Sequence, residues 1–581
     1  MPQSAKRKYT SGRAYSQGFC SGAIIRRLLI SQLYGNTAGL KAGQIRRLQL
    51  IYRRRIPPSL LITSEFGRYL TELSGEIGRQ IGIIVNRRGF VVSAIVGDEK
   101  EIVIPLLSDY PLGRRRLRGV RCIHTHLKNE PLSQDDLTDL ALLRLDMMAA
   151  IGVLEDGMPG NIFMSHLLPL NPEGKTCEVH PPMPFHRLNL KLDEFIEALE
   201  DEMGRAAVRD IKDTRERAIL VSVSTKGGRE EQSESMEELK ELARSADVAV
   251  LDAIIQRPKE LNPKYLMGSG KLKELIIKAL QKEAALIIFD QELTPTQTRE
   301  IGEVTELKVI DRTQLILDIF ARRAFSRDGK VQVELAQLKY RLSRLTGKGT
   351  SLSRLAGGIG GRGPGETKLE VDRRRVQDRI SRLEKQLEHL SRGRLERRRS
   401  RAASGIPIIS IVGYTNAGKS TLLNVLTKSE TKVENLLFAT LDTASRRLRF
   451  PRERDAVITD TVGFIRHLPE DLFKAFKATL EEMGDADLLI HLVDMSSPNF
   501  EKQIKVVEDI LSEIGLDAIE RLLVFNKEDM VEPEIVKNLC RRYHAVSISA
   551  IHPETLGKLL NALEKKLWPE DRVEAMDASF D

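Results

Sequence analysis

The chain has 581 residues, of which 41% are hydrophobic and 30% charged, and its formal net charge is +9. This length is far above the size at which a single core stops growing, so several domains are expected. Its apolar runs are shorter than a bilayer span and its four cysteines show no paired spacing, which argues against a membrane-spanning or disulfide-stabilised protein and favours a reducing cytoplasm.

The chain begins with a basic segment. The first 64 residues contain no Asp or Glu, whereas the first 60 carry twelve Lys and Arg. We interpret residues 1–55 as a basic, partly disordered tail. An organelle transit peptide and a nucleic-acid-binding arm remain alternatives.

Residues 56–205 are predicted to form an extra N-terminal α/β domain. Within it His124, His126 and Asp136 follow a strand-like run. This pattern resembles the JAMM metalloprotease motif, in which His-x-His and a downstream Asp hold zinc.

The match to that motif departs at two places. The spacing to Asp136 is one residue short, and the strand at Ile81 is preceded by Gln80, with Glu76 displaced from the position of a catalytic glutamate. The resemblance implies a JAMM-like fold and leaves metal binding open. A metallopeptidase-like domain regulated by a second domain is therefore an alternative function.

Residues 216–325 alternate apolar, strand-like runs with amphipathic stretches, which predicts a small α/β subdomain. Gly268-Ser-Gly-Lys271 has some features of a phosphate loop, but we interpret it as a glycine turn at a helix start. An ATP-dependent RNA-remodelling helicase acting through this subdomain is a second alternative.

Residues 326–404 are predicted to form a basic antiparallel helical hairpin with a glycine-rich tip at 346–366. Residues 341–400 contain 17 Lys and Arg against 7 Asp and Glu. This excess of positive charge favours binding to structured RNA, so residues 331–400 are the predicted RNA-binding element. The leucines expected to pack the two helices together recur at intervals of three and four: Leu335, Leu338, Leu342, Leu345, Leu383, Leu387 and Leu390.

Residues 405–568 contain the strongest motif of the chain. An apolar, β-branched run at 406–412 is followed by GYTNAGKST at 413–421 and by a helical pattern. Strand, glycine loop and helix are the setting of a phosphate-binding loop, in which backbone amides hold phosphate oxygens and a hydroxyl binds magnesium. The predicted ligands of the nucleotide and of Mg²⁺ here are Gly413, Asn416, Ala417, Gly418, Lys419, Ser420 and Thr421, with Ser420 on the metal.

Two further elements complete a nucleotide site in the same chain order. Asp460 and Gly463 end a second strand. The Asp460 carboxylate is suited to a water-mediated contact with Mg²⁺, and the Gly463 amide is suited to a hydrogen bond with the γ-phosphate. Asn526, Lys527 and Asp529 follow a third apolar strand, and the Asp529 carboxylate would accept two hydrogen bonds that guanine offers and adenine does not. The set ends with Ser549 and Ala550, whose amide would meet the guanine carbonyl oxygen.

The segments expected to respond to the γ-phosphate lie between these elements. Thr440 is the candidate switch threonine on magnesium, with Thr443 as the alternative. We predict catalytic roles for Lys419, Thr440 and Gly463. Phe464 stands where many small GTPases place a water-orienting glutamine, so slow intrinsic hydrolysis is expected.

Together GYTNAGKST, LFATLD, DTVGFIRHLP and NKED resemble the HflX family of ribosome-associated GTPases, within the Obg-like class of P-loop GTPases. The resemblance covers most of residues 216–568 and departs at DTAS, residues 442–445. Its upstream signature is found at 262–271, 289–297, 311–324, 332–337 and 357–366.

The predicted fold is a multidomain α/β protein. The extra N-terminal α/β domain is followed by the small α/β subdomain, the antiparallel helical hairpin and the P-loop GTPase domain, whose sheet is mostly parallel. Residues 569–581 are a C-terminal tail. The resemblance implies GTP/GDP and Mg²⁺ as cofactors and the large ribosomal subunit as partner, with splitting or rescue of stalled ribosomes or subunit assembly as the task. We expect a cytoplasmic monomer without a membrane span. Peripheral membrane association stays open.

Overall fold

The structure is a computed structural model that describes residues 32–105, 107, 109–110, 117–169, 171, 173–208, 215–225, 228–324, 326–345, 368–402, 406–427, 445–450, 452–461, 463–466 and 481–569. It divides into two compact units. The first contains residues 1–214 and 270–283, and the second contains residues 215–269 and 284–581.

The first unit is built on a mixed eight-stranded sheet. Its strand order is β1-β3-β2-β4-β5-β6-β7, with β8 paired to β6. Strand β4 runs parallel to β5 and antiparallel to β2, and all of its side chains are buried. Its elements are β1 Leu33–Gly35, α1 Ala42–Leu50, α2 Ser64–Ile77, β2 Ile81–Asn86, β3 Val91–Val96, β4 Val120–His126, α3 Gln134–Leu143, β5 Met148–Val153, β6 Pro159–Leu167, β7 Cys177–Val179, β8 Met183–Pro184 and α4 Leu192–Val208.

The second unit begins with a four-stranded parallel sheet of order β10-β9-β11-β12, which confirms the predicted α/β pattern. Helix α6 starts at Ser269, as the glycine-turn interpretation required, and residues 270–283 group with the first unit. In chain order, and including α6, the elements from residue 216 to residue 323 are β9 Glu216–Val223, α5 Arg229–Ser245, β10 Val248–Gln256, α6 Ser269–Gln281, β11 Leu286–Phe289, α7 Pro295–Val304, β12 Lys308–Asp311 and α8 Arg312–Arg323.

Helices α9, Arg327–Leu345, and α10, Lys368–Ala402, pack through most of the predicted apolar side chains. Two ion pairs flank these contacts: Arg379 bonds Glu334 at 2.7 Å, and Lys339 bonds Glu384 at 2.8 Å.

The direction of the two helices relative to each other is not decided by these two ion pairs, because Arg and Lys side chains can reach partners about one turn above or below them. The predicted antiparallel hairpin therefore stays a prediction, and its glycine-rich tip lies outside the described residues.

The last part of the second unit is a six-stranded sheet of order β14-β15-β13-β16-β17-β18, in which only the β14–β15 pair is antiparallel among the described strands. The carboxyl ends of β13, β15 and β17 therefore meet at one edge. The elements are β13 Ile408–Gly413, α11 Lys419–Leu426, β14 Ser445–Arg449, β15 Asp455–Asp460, β16 Leu488–Asp494, α12 Phe500–Glu513, β17 Arg521–Asn526, α13 Pro533–Tyr543, β18 Val546–Ser547 and α14 Leu556–Leu567.

Candidate functional site

The loop between β13 and α11 has the geometry of a phosphate cradle. Gly418 precedes α11 with φ +93°, and a Cβ atom on it would lie 2.3 Å from Asn526 Nδ2, so both conformation and space require glycine. Asn416 is also left-handed, with φ +63°, and is exposed. The helix start carries Ser420 and Thr421 in its first turn, where the backbone amides can face an anion.

Lys419 is the buried cation of the loop. Its Nζ donates to the carbonyl oxygens of Gly413 at 3.1 Å and Tyr414 at 2.7 Å. Burial lowers the pKa of Lys419 to about 8, with the Asp460 carboxylate opposing that shift. A phosphate beside this ammonium would replace the lost hydration and stabilise its charged form.

Ser420 and Asp460 bring two oxygen ligands together beside the loop. The Ser420 hydroxyl donates to Asp460 Oδ2 at 2.8 Å, and the Asp460 side chain is fully buried at the end of β15. Oxygen ligands next to a phosphate cradle are the donor set that Mg²⁺ prefers, so these two residues fit the magnesium ion of a bound nucleotide.

The predicted base-binding loops are linked to the phosphate loop by one side chain. Asn526 Nδ2 donates to the Ala417 carbonyl at 2.8 Å, and Asn526 Oδ1 accepts from the Ala550 amide at 2.9 Å. Asn526 therefore holds loops from three parts of the chain in register.

The remaining base-binding candidates lie around that link. Lys527 is left-handed at φ +66° and pairs with Asp494 at the end of β16, at 2.5 Å. Asp529 is exposed in the short 3₁₀ turn that follows, where its carboxylate is accessible to a base. Ser549 is buried; its amide donates to the Thr555 hydroxyl, and that hydroxyl donates to the Ser549 carbonyl.

The segment after Asp460 lies directly against the phosphate loop. A Cβ atom on Gly463 would lie 2.7 Å from Thr415 Cγ2 and 3.0 Å from Lys419 Nζ. Phe464 is buried in an apolar core with Val412 and Leu489, and its phenyl ring has no group that could hydrogen-bond an attacking water. Thr440 and its alternative Thr443 lie outside the described residues.

Sequence reasoning missed the side chains that surround this segment from the α/β subdomain. Glu238 of α5 accepts a hydrogen bond from the Tyr414 hydroxyl, and Glu234, one turn earlier, pairs with Arg466 at 2.7 Å. Tyr414 was visible in the loop motif, but no local pattern links it to a helix so far upstream.

The three candidate ligands of the first unit also come together. The Nε2 atoms of His124 and His126 are 2.9 Å apart, and they lie 3.3 and 3.5 Å from the two carboxylate oxygens of Asp136. Within the described ranges, this is the group of His, Cys, Asp or Glu side chains whose ligand atoms converge closely enough for one metal ion. Glu76, by contrast, pairs with Arg47 and accepts from Gln44.

Comparisons with known families cover most of the second unit. Residues 233–321 match the family "GTP-binding GTPase N-terminal", residues 323–401 match "GTP-binding GTPase Middle Region", and residues 408–527 match "50S ribosome-binding GTPase". Within the described part of the chain, none of the helices combines the length and apolar character needed to cross a bilayer.

Individual relatives give the same result. GTPase HflX of Caldanaerobacter subterraneus subsp. tengcongensis is 50% identical over 359 residues, which are 62% of this chain and 82% of the relative. GTPase HflX of Escherichia coli (strain K12) is 42% identical over 364 residues, covering 62% of this chain and 85% of the relative. A GTP-binding protein from Sulfolobus solfataricus solved with GDP is 26% identical, covers 60% of this chain and 99% of its own, and has a TM-score of 0.35. The two HflX relatives and the matched GTPase families show that the protein is a GTP-hydrolysing enzyme, and the chain belongs to the HflX family of GTPases.

Proposed function

We propose that this GTPase binds the large ribosomal subunit in its GTP-bound form and leaves it after hydrolysis. Its task is to separate or rescue stalled ribosomes, or to support subunit assembly, acting in the cytoplasm as a monomer. The matched family name "50S ribosome-binding GTPase" supports the partner.

The observation that carries this proposal is the charge of residues 341–400. Their 17 Lys and Arg stand against 7 Asp and Glu, and the described part includes the exposed Arg373, Arg374 and Arg375 on α10. A basic helix of this kind favours the closely spaced phosphates of structured RNA over a protein partner. We therefore place the ribosomal RNA contact on α9, α10 and their connection.

The nucleotide would be held by residues already close together. Lys419 would neutralise β- and γ-phosphate charge, Asp529 would select guanine, and Gly463 would offer its amide to the γ-phosphate. Ser420, Asp460 and Thr440 would hold magnesium, which supplies charge neutralisation on the phosphates. Phe464 cannot orient the attacking water, so the ribosome would supply or fix the missing group.

The test is steady-state GTP hydrolysis with and without purified large subunits, with ATP as the nucleotide control. Strong stimulation is expected, and it should decline as salt rises because phosphate contacts release counterions. The triple variant Arg373→Ser, Arg374→Ser, Arg375→Ser should lose most of the stimulation and keep the basal rate.

A matched triple variant removes three exposed basic residues from the GTPase domain instead: Lys537→Ser, Arg541→Ser and Lys558→Ser. It should retain the stimulation. An equal loss of stimulation in both triple variants would mean that the stimulation depends on the net charge of the protein and not on α10. If large subunits do not stimulate the parent protein, the ribosomal assignment is overturned. ATP-dependent unwinding that survives Lys419→Ala would favour the helicase alternative.

We also propose that His124, His126 and Asp136 bind a zinc ion in the first unit. Ligand bonds of 2.0–2.1 Å at tetrahedral angles place neighbouring ligand atoms about 3.3 Å apart. The observed separations of 2.9, 3.3 and 3.5 Å bracket that value.

The surroundings of these ligands support the zinc proposal. The Glu130 carbonyl lies 2.9 Å from His126 Nδ1, which turns Nε2 toward the cluster, and Ser133 donates to Asp136 through both its amide and its hydroxyl at 2.7 Å. Because Glu76 is engaged by Arg47, peptide cleavage is not part of the proposal.

Elemental analysis of the purified full-length protein tests the zinc site. About one zinc per chain is expected in the parent protein and in His166→Ala, a control that removes another buried histidine of the same unit. His126→Ala and Asp136→Asn should lose the metal. Zinc content that is absent from the parent or unchanged in these variants would contradict the proposal.

A further inference from the structure

The residues after Gly463 are held by two different cores. Phe464 packs into a core of the GTPase domain with Val412, whereas Ile465, 1% exposed, packs into the core of the α/β subdomain that includes Leu239 and Phe320. Since neighbouring residues are buried in separate cores, a shift of either core would displace this segment.

The same segment is tied to the phosphate loop by backbone hydrogen bonds. The Thr415 amide donates to the Phe464 carbonyl at 2.8 Å, and the Phe464 amide donates to the Gly413 carbonyl at 3.2 Å. Gly463, which stands between Asp460 and this pairing, is thus fixed within contact distance of Lys419. Its amide is the group expected to meet the γ-phosphate.

A buried polar network then joins this segment to α5. The Arg466 amide donates to the Tyr414 hydroxyl at 2.8 Å, and that hydroxyl donates to the Glu238 carboxylate. Burial and the neighbouring Glu238 charge raise the pKa of the Tyr414 hydroxyl, which keeps it protonated as a donor. Tyr414 is therefore both a phosphate-loop residue and the bridge to the subdomain.

Arg312 closes the network from the other side. It donates to Glu238 Oε2 at 2.5 Å, to Asp290 at 3.0 Å and to the Arg466 carbonyl at 3.2 Å. Amide and carbonyl of Arg466 are thus both held by groups that Glu238 orients. The Arg312 side chain is 5% exposed and that of Glu238 12%, so water competes little for these bonds.

We propose that Glu238 is a positioning residue for GTP hydrolysis: through Tyr414 and Arg312 it fixes the backbone of residues 463–466 against the phosphate loop. Preorganised backbone donors stabilise the charge that develops on the γ-phosphate without reorganising during the reaction. The α/β subdomain therefore contributes to the rate of hydrolysis through Glu238, which lies 176 residues before Tyr414 of the phosphate loop and 228 residues before Arg466. This inference concerns the hydrolytic step and is independent of the ribosomal partner.

The first test is Tyr414→Phe in the full-length protein, which removes one hydroxyl and leaves the ring and the loop backbone. The kcat for GTP should fall roughly tenfold, the effect of losing one charge-assisted hydrogen bond in the transition state. The KM for GTP should stay within about twofold, because the other phosphate-loop and base contacts remain.

Tyr543→Phe is the matched control. The Tyr543 hydroxyl donates to Glu501 at 2.6 Å on the far end of the same domain's helices α13 and α12, so the variant makes the same chemical change away from residues 463–466. It should leave kcat and KM unchanged.

Variants of Glu238 separate positioning from stability. Glu238→Gln keeps an oxygen acceptor for Tyr414, so it should retain part of the kcat that Glu238→Ala loses. The fold-loss of kcat in the double variant Tyr414→Phe, Glu238→Gln should be smaller than the product of the fold-losses in the two single variants. Melting temperatures are measured on each variant. Unchanged or raised kcat in Tyr414→Phe, additive effects in the double variant, or parallel losses of kcat and melting temperature in all variants would overturn the proposal.

Discussion

The nucleotide site and the histidine cluster are both polar groups at the ends of buried strands, yet they are assembled differently. The nucleotide site collects side chains from β13, β15 and β17 and from the loop after β18. The histidine cluster takes two ligands from one face of β4 and a third from the first turn of α3. A parallel sheet gathers distant residues at one edge, so ordered motifs identified the first site, whereas the second depends on the geometry of one local turn.

The largest expected effect lies at the nucleotide site. Lys419→Ala should lower the kcat for GTP by about 10²–10³-fold or more, because it removes the buried ammonium that is proposed to neutralise phosphate charge. Steady-state phosphate release measures it, with the exposed Lys558→Ala as control. A loss of less than tenfold would mean that the phosphates are held elsewhere.

The base-binding half of the same site should change specificity. Asp529→Asn should weaken GTP binding by roughly 10²–10³-fold, because the amide presents a donor where guanine requires an acceptor. The same amide can donate to the second carbonyl of xanthine, so XTP should bind better than GTP in a competition assay. Retained preference for GTP would remove Asp529 from the base contact.

At the histidine cluster the expected effect is on stability. Chelation should lower the free energy of unfolding of the first unit by about 3 kcal/mol when free zinc is near a hundred times its Kd. Thermal unfolding with and without chelator measures it, and the difference should vanish in Asp136→Asn. A chelator effect that persists in this variant would mean that the metal binds elsewhere, and the histidine cluster would no longer be a metal site.

A smaller effect tests the direction of α9 and α10. Cysteines at Val331→Cys and Leu387→Cys should oxidise to a cross-link, because these ends of the shared apolar cluster face each other in the predicted antiparallel hairpin. Val331→Cys with Val376→Cys is the control that would cross-link only in a parallel pair. Electrophoresis without reductant separates the two results, and basal GTP hydrolysis should not change.

The sequence predicted much of the GTPase domain, because its evidence is local. An apolar β-branched run, glycines that must approach the phosphate closely and a helix start stand within residues 406–426, and the structure confirms all three. The subdomain strands and the start of α6 are confirmed for the same reason. The packing face of the helical pair is confirmed, whereas its antiparallel direction stays a prediction, because leucine spacing carries no information about direction.

The position of Thr440 and the bounds of the six sequence-based domains stay predictions. The roles of Tyr414, Glu238 and Arg466 were beyond sequence reasoning, since each of these residue types is common and none is part of a shared local pattern. The roles of these residues depend on the contact of α5 with the phosphate loop, which only the tertiary structure shows.

The sequence by itself determined the GTPase family of this protein and predicted its chemistry: a phosphate loop, a carboxylate expected to select guanine and a strongly basic helical region, each defined by spacing along a few residues. Only the tertiary structure decided that His124, His126 and Asp136 converge at ligand distances and that Glu238 reaches the segment after Gly463. The physical reason is that spacing fixes local backbone geometry, whereas packing between elements fixes which buried charges and hydroxyls must become partners.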